Sequence, residues 1–181
     1  SRTSCLRSSA VLADTGPLAA LFHPNDPHYP VALAFFRSHE GPLLTTLAVV
    51  TEVTHLLAVR RQIAFLAWLR GGGASIEPIG VDELAAIEGW TSKYRDQPMD
   101  FADATLVLVA ERTGIGDIVT LDRGFEAFRF RGRRRFKNLM PVRAAAVKRV
   151  RAPRKRMNLK ISRAEVRQAI SRDRVVKLRR D

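Results

Sequence analysis

Short apolar segments alternate with longer segments of helical periodicity through the first 130 residues of the chain. The apolar segments, bounded by Gly, Pro or Asp, predict β-strands at 10–13, 41–46, 75–80 and 117–121. Between them, apolar residues recur at helical spacing and predict a helix that starts at residue 15 and further helices at 27–39, 47–59, 61–70, 81–94 and 100–114. Strands that alternate with helices in this way favour a three-layer α/β domain with a parallel central sheet.

Local signals mark the ends of several of these elements. Pro17 falls in the first turn of the first helix, where the missing N–H of proline costs no hydrogen bond. Asp26 is placed to cap the helix at 27–39, and the glycines at 71–73 end the helix before them. The segment FEAFRF at 125–130 predicts a short strand at the sheet edge.

The charge is divided unevenly along the chain. The formal net charge is +13, but residues 131–181 carry 20 of the 31 Lys and Arg and only three of the 18 Asp and Glu, a net charge of +17. Residues 1–130 have a net charge of −4. We therefore predict an N-terminal extension at 1–9, an α/β domain at 10–140 and a basic tail at 141–181 that is partly helical or disordered.

A cationic run where the domain meets the tail is a candidate nucleic-acid contact. Arg133, Arg134, Arg135 and Lys137 lie in the segment RGRRRFK, and such segments attract phosphate backbones through counterion release without reading sequence. Two other interpretations stay open. Blocks of like charge are commonly disordered and solvated, and the tail could be an extension that has no part in the function of the domain.

Cysteine content and hydropathy narrow the class of protein. Cys5 is the single cysteine of the sequence, so an intrachain disulfide and a multi-cysteine zinc site are excluded. No apolar run reaches the roughly 18 to 20 residues that a membrane-spanning helix needs. We therefore expect a cytoplasmic protein with no membrane-embedded segment.

Five acidic residues occupy positions that call for an explanation. Asp14 and Asp122 each follow a predicted strand, Glu52 lies in an otherwise apolar helix, and Asp100 and Asp103 are one turn apart at a helix start. Each has a structural alternative. Asp14 and Asp100 could cap helices, Asp103 could compensate the helix dipole, Asp122 could belong to a turn, and Glu52 could face solvent.

As a set, these acids predict a metal site. The carboxyl ends of parallel strands and the starts of the following helices meet at one edge of an α/β sheet, so acids at these positions are expected to converge. A cluster of carboxylates repels itself without a cation, and oxygen ligands suit hard divalent ions. We expect Mg²⁺ or Mn²⁺, because zinc would be expected to bring His or Cys ligands.

Four segments of the chain resemble the PIN domain, in particular VapC-like toxin nucleases. They are, in the order and spacing of that family, VLADTGPLAALF, TTLAVVTEVTHLL, DFADATLVLVAERTG and DIVTLDRGF. The resemblance covers residues 10 to about 130 and implies a parallel sheet of four or five strands flanked by helices. Gly124 departs from the pattern, because many relatives carry another acid at this position, and this puts a fifth carboxylate of the site in doubt.

The resemblance also implies the residues and the chemistry of the site. The implied catalytic and metal-binding acids are Asp14, Glu52, Asp103 and Asp122, and the implied supporting residues are Thr15, Asp100 and Thr120. The implied reaction is hydrolysis of RNA phosphodiester bonds assisted by Mg²⁺ or Mn²⁺, with a 5′-phosphate and a 3′-hydroxyl as products. A second copy of the chain and a VapB-like antitoxin are the implied partners.

Two other functions stay open at this stage. A PIN-fold nuclease that processes RNA without an antitoxin would have the same acids, whereas a non-catalytic RNA-binding protein would use the basic tail and would not need them. His55 lies one turn after Glu52 and could approach the site, although a single His on a helix is more often structural or exposed. Trp68 and Trp90 are expected in the core.

Overall fold

The computed structural model describes residues 10–97 and 99–140. The predicted N-terminal extension at 1–9 and basic tail at 141–181 lie outside the described residues.

Seven short strands form two sheets within the described residues. They are, in chain order, β1 (Val11–Ala13), β2 (Leu43–Thr46), β3 (Ser75–Glu77), β4 (Asp117–Val119), β5 (Arg129–Phe130), β6 (Arg134–Arg135) and β7 (Lys137–Asn138). The main sheet has the order β3-β2-β1-β4-β7 and every pairing in it is parallel. β5 and β6 form a separate antiparallel pair. The parallel main sheet confirms the predicted fold class.

Six α-helices connect and cover the main sheet. They are α1 (Thr15–Leu21), α2 (Tyr29–Ser38), α3 (Leu47–Leu56), α4 (Val59–Arg70), α5 (Leu84–Lys93) and α6 (Phe101–Thr113). Because crossovers between parallel strands are right-handed, the helices after β1 and β2 cover one face and those after β3 cover the other. None of the described helices is long and apolar enough to cross a membrane.

The core has two principal parts. All residues from Ala102 to Ala110 of α6 are buried, as expected for a helix that is almost entirely apolar around its circumference. On the other side, α4 contributes Phe65, which is fully buried, and Trp68 to a cluster of rings with Phe22 and Phe36. Trp68 and Trp90 pack against the core, as predicted.

Two local predictions are wrong. Helix α2 begins at Tyr29 without a side-chain cap, because the carboxylate of Asp26 accepts a hydrogen bond from the His28 N–H (2.7 Å) and closes a turn ahead of the helix. Of the segment predicted as a strand at 125–130, only Arg129–Phe130 forms a strand, β5, and it pairs with β6 outside the main sheet. Phe125 and Phe128 are both buried, three residues apart, and this spacing is that of the observed 3₁₀ turn rather than of a strand.

A candidate active site at the carboxyl edge of the sheet

The ends of two neighbouring strands define the position of the candidate site. β1 and β4 pair in parallel at the centre of the sheet, with Ala13 opposite Val119. Asp14 follows β1 directly, and its backbone N–H donates to the carbonyl of Val119 (3.1 Å). Thr120 and Asp122 follow β4. The two acids expected at strand ends therefore lie at adjacent ends of the same sheet edge.

Two hydrogen bonds fix the carboxylate of Asp14. The N–H of Thr15 donates to Oδ1 (2.6 Å) and the hydroxyl of Thr120 donates to Oδ2 (2.6 Å). Asp14 is therefore the N-cap of α1, and it is also buried, with 6% of its surface exposed. The helix-capping alternative for Asp14 is therefore observed. Each carboxylate oxygen accepts one of these hydrogen bonds and keeps a second lone pair for another ligand.

Asn138 holds the loop that carries Thr120. Its side-chain amide donates to the carbonyl of Thr120 (2.9 Å), and its Oδ1 accepts from the N–H groups of Thr120 (3.3 Å) and Met140 (3.0 Å). The hydroxyl of Thr120 also accepts from the N–H of Asp122 (2.8 Å). Asn138 was not among the predicted site residues, because a two-residue strand has no pattern by which its position could be recognised.

Asp100 and Asp103 begin helix α6 and cap it reciprocally. The N–H of Asp103 donates to Oδ1 of Asp100 (2.9 Å), and the N–H of Asp100 donates to Oδ2 of Asp103 (3.3 Å). Capping boxes commonly use Ser or Thr with Glu or Gln, whereas here both members are acids. Asp103 is buried, with 5% of its surface exposed. Capping alone does not account for a second, buried carboxylate at this position.

Glu52 reaches the site from the middle of α3. The hydroxyl of Thr15 donates to Oε2 of Glu52 (2.8 Å), and the residue is half-buried. This contact argues against the alternative in which Glu52 simply faces solvent. Thr15 thus contacts two of the predicted acids, through its N–H to Asp14 and its hydroxyl to Glu52.

A buried hydroxyl pair lies behind the acids and was not predicted. The hydroxyls of Thr46 and Thr105 are 2.7 Å apart, and together they join the carboxyl end of β2 to helix α6. Thr46 also caps α3, and Thr45 donates to the carbonyl of Ala13 (3.0 Å). The adjacent threonines at a strand end were the available signal, since Thr at such a position readily caps the next helix.

Burial and mutual repulsion make the central acids weak. Burial raises the pKa of Asp14 to about 7, against the opposing hydrogen bonds from Thr120 and Thr15, and the charges of Asp122 and Asp100 raise it further. Burial also raises the pKa of Asp103 to about 9, assisted by the charges of Asp14 and Asp100. The pKa of Glu52 is raised by burial and by the charge of Asp100. The acids are therefore close enough to repel one another.

The composition of this cluster suits a hard divalent cation. Every charged ligand atom is a carboxylate oxygen, and among residues 10–97 and 99–140 no Lys, Arg or His forms a salt bridge with Asp14, Glu52, Asp100 or Asp103. In the described part of the chain, however, no three Asp, Glu, His or Cys side chains are already grouped so that they could hold an ion. The acids fit the cation by charge and atom type, and their side chains must turn to bind it.

The remaining candidate residues make no contact with the buried acids Asp14 and Asp103 within the described residues. Arg133, Arg134, Arg135 and Lys137 are exposed. In the backbone register of β4 and β7, Lys137 lies opposite Asp117 at the amino end of β4, whereas the acids follow the carboxyl end. His55 is exposed on α3, where it lines an open surface pocket of about 350 Å³ together with Thr51, Glu52 and Leu56. No contact joins His55 to the buried acids.

Comparison with known proteins gives a relative by sequence and a similar solved structure. No protein-family model matches the chain. Ribonuclease VapC26 of Mycobacterium tuberculosis is 32% identical over 131 residues, which cover 70% of this chain and 97% of the relative. The crystal structure of Mycobacterium tuberculosis VapC20, described as a Sarcin-Ricin loop cleaving toxin, matches with a TM-score of 0.60 at 22% identity, over 65% of this chain and 93% of that one. The latter match shows a shared fold.

Proposed function

Because the chain belongs to the VapC family of PIN-domain ribonuclease toxins, we propose that it hydrolyses RNA phosphodiester bonds with Mg²⁺ or Mn²⁺ held by its buried acids. The observation that supports this most directly is the convergence of Asp14, Asp103 and Asp122 at one sheet edge, with Glu52 facing them from α3. Burial of acids with raised pKa values and without a basic partner costs stability. That cost is understandable if the acids serve a cation.

Each residue has a distinct role in the proposal. Asp14 is the central ligand, Asp103 and Asp122 complete the cation site, and Glu52 either binds the cation or orients the attacking water. When bound, the divalent ion lowers the pKa of water and stabilises the leaving oxygen. The hydroxyls of Thr120 and Thr15 hold the carboxylates of Asp14 and Glu52 in place, and Asp100 positions Asp103 through the shared cap.

Cleavage of RNA by the purified chain tests the proposal. We expect discrete fragments with a 5′-phosphate and a 3′-hydroxyl in Mg²⁺ or Mn²⁺, and none in EDTA. Asp14→Asn and Asp103→Asn should each reduce cleavage to background, because both remove a charge without changing side-chain volume. Asp96→Asn, at an exposed acid outside the site, is the matched control. Full activity of Asp14→Asn would contradict the assignment of the cation site.

We also propose that the chain acts in the cytoplasm as a homodimer that a VapB-like antitoxin neutralises. Family membership supports both partners, and so do the exposed apolar side chains of Val59, Ile63 and Leu66 along α4, since large exposed apolar surfaces commonly mark interaction sites. Expression of the wild-type chain should arrest growth, and a co-expressed cognate antitoxin should relieve the arrest. Light scattering of the purified protein should give the mass of a dimer.

Growth and cleavage together separate the two other functions. An RNA-processing nuclease without an antitoxin would cleave RNA without arresting growth. A non-catalytic RNA-binding protein would bind RNA without cleaving it, and Asp14→Asn would then change nothing.

A further inference from the structure

The segment from Arg129 to Lys137, called the basic hairpin here, is strongly charged. It includes β5, β6, the turn between them and the first residue of β7. Its sequence, RFRGRRRFK, contains six cationic residues and no acid. None of the six forms a side-chain salt bridge in the described part of the chain. The nearest carboxylate contact is that of Glu111, which accepts a hydrogen bond from the backbone N–H of Arg131.

Three of the six cations are used to build the hairpin. The guanidinium of Arg129 donates to the carbonyls of Glu126 and Phe128. Those of Arg131 and Arg134 donate to carbonyls at the carboxyl end of α6, and Arg134 also lies over the ring of Phe130, 5.1 Å from its centroid. These contacts fasten the hairpin to the helix.

The other three cations, Arg133, Arg135 and Lys137, point into solvent. All three are exposed, and no hydrogen bond or ion pair engages their side chains within the described residues. Phe136 packs against Phe130 and Phe125, so its neighbours in the extended chain face the opposite way. Arg135 and Lys137 are therefore on one side, about 6.7 Å apart along the chain, and Arg133 precedes them at the turn.

This surface is separate from the buried acids. In the strand register, Lys137 lies opposite Asp117 at the start of β4, whereas Asp122 follows the end of the same strand. Asp122 lies five positions after Asp117, a stretch that spans at most about 16 Å when extended. A group bound at the basic hairpin would not be bound at the acids, but a polymer could occupy both.

We propose that Arg133, Arg135 and Lys137 bind the phosphate backbone of single-stranded RNA outside the cleavage site and hold long substrates on the enzyme. The inference rests on the proposed function for the identity of the polymer. The acids at the cleavage site have the same sign of charge as RNA, and a cation held by them would neutralise that charge only locally, so cations elsewhere on the surface would add to the attraction of a long substrate. A row of exposed cations on the hairpin offers that attraction without reading sequence.

RNA binding without cleavage tests the inference independently of catalysis. The full chain carrying Asp14→Asn is compared with and without Arg133→Ala, Arg135→Ala and Lys137→Ala, in EDTA, on a long single-stranded RNA. The triple variant should bind more weakly, and the slope of log affinity against log salt should fall by about 2, because three phosphate contacts are lost. A version with Arg133→Lys and Arg135→Lys should keep most of the affinity and show that the hairpin still folds.

A second triple variant controls for net charge. Arg37, Arg60 and Arg70 are exposed on α2 and α4, and their replacement by Ala removes the same charge from other surfaces. This control should bind RNA nearly as well as the parent. Equal losses in the two triple variants, or no loss in the hairpin variant, would overturn the inference. If the hairpin variant lost no affinity, the role of Lys137 would be to keep the edge strand β7 from pairing with another chain. A greater loss on duplex DNA than on RNA would also overturn it.

Cleavage of substrates of two lengths separates failure of the inference from failure of the proposed function. This test uses chains in which Asp14 is intact. The triple hairpin variant should then have a raised KM for long RNA and unchanged cleavage of a dinucleotide, which is too short to reach the hairpin. Equal KM effects on both lengths would overturn the inference while leaving the nuclease intact. Absence of cleavage in every variant would contradict the proposed function and leave the binding result to be judged alone.

Discussion

Asp14 and Asp103 are the two acids that the described chain buries, and the sequence places them where burial can be anticipated. Each stands at the start of a helix, and Asp14 directly follows an apolar strand. Strand ends and helix starts are readable from apolar patterns, so the acids could be found. Asn138 and the pair formed by Thr46 and Thr105 could not, because their roles depend on contacts between segments 18 and 59 residues apart.

In the absence of a cation, the raised pKa values should make the protein less stable as pH increases. An acid whose pKa is raised by folding holds its proton more tightly in the folded state, and this stabilises the folded protein while the acid is protonated. The stabilisation is complete below pH 3.8. It is lost as the pH rises to about 7 for Asp14 and to about 9 for Asp103. The Tm of wild type measured in EDTA should therefore fall, relative to that of Asp14→Asn, between about pH 4 and pH 7.

The difference in Tm between wild type and Asp14→Asn removes the effect of most other titrating groups, because these are present in both proteins. Asp14→Asn should exceed wild type in Tm at about pH 8, since the amide does not ionise. Asp96→Asn should track wild type throughout. A constant difference in Tm between wild type and Asp14→Asn over this window would contradict the raised pKa of Asp14.

Thr120 offers a test of positioning without loss of a proposed ligand. Thr120→Val removes the hydroxyl that donates to Asp14 and keeps the shape of the side chain. We expect cleavage to fall by about 10- to 100-fold, the usual effect of losing an outer hydrogen-bond partner of a metal ligand. Thr120→Ser should restore most of the activity, and Thr113→Val, at a hydroxyl bonded within α6, should have little effect. Equal losses in Thr120→Ser and Thr120→Val would indicate a packing role.

Helix α6 shows how an element is stabilised at both ends. Asp100 and Asp103 cap its start, and Gly114 ends it in the left-handed conformation, with φ of 79°. Arg131 then contributes its guanidinium to the carbonyls of Glu111 and Arg112. The sequence predicts the helix and its glycine stop, because both are local signals. The contribution of Arg131 comes from a turn 20 residues away in the sequence, which no local pattern indicates.

Two glycine substitutions should change stability in opposite directions. Gly114→Ala should destabilise the protein by about 1 to 2 kcal/mol, because an L residue is strained at positive φ, and its Cβ would also meet the guanidinium of Arg131. Gly89→Ala should stabilise by about 0.5 to 1 kcal/mol, since Gly89 is exposed in α5 with no heavy atom within 4 Å of a new Cβ. Urea unfolding measures both, and a stabilised Gly114→Ala would contradict the left-handed cap.

On the scale of the whole described domain, the main sheet joins two groups of packed helices. The order β3-β2-β1-β4-β7 follows from right-handed crossovers that run first in one direction and then in the other. The alternation of strands and helices predicts the parallel sheet, and the resemblance to PIN domains predicts its four or five strands. The edge strand β7 was not predicted, because two residues next to a basic run carry no apolar pattern.

Core substitutions on both sides of the sheet should affect a single unfolding transition. Phe65 belongs to the ring cluster of α4, and Phe130 packs with Phe136 in the second part of the core. Phe65→Ala and Phe130→Ala should each cost about 3 to 5 kcal/mol, with coincident transitions by circular dichroism and tryptophan fluorescence. Separate transitions in either variant would show that the two sides unfold independently.

The hydrogen bond from Thr120 to Asp14 joins residues 106 positions apart, and this has a consequence for a growing polypeptide on the ribosome. Translation delivers Asp14 first, but Thr120, which follows β4, and Asn138, which holds it, emerge near the end of the domain. Until then the sheet lacks β4 and β7, and the acids have no common edge on which to meet. A ribonuclease of this family would thus have no assembled site with which to cleave RNA through most of its own synthesis.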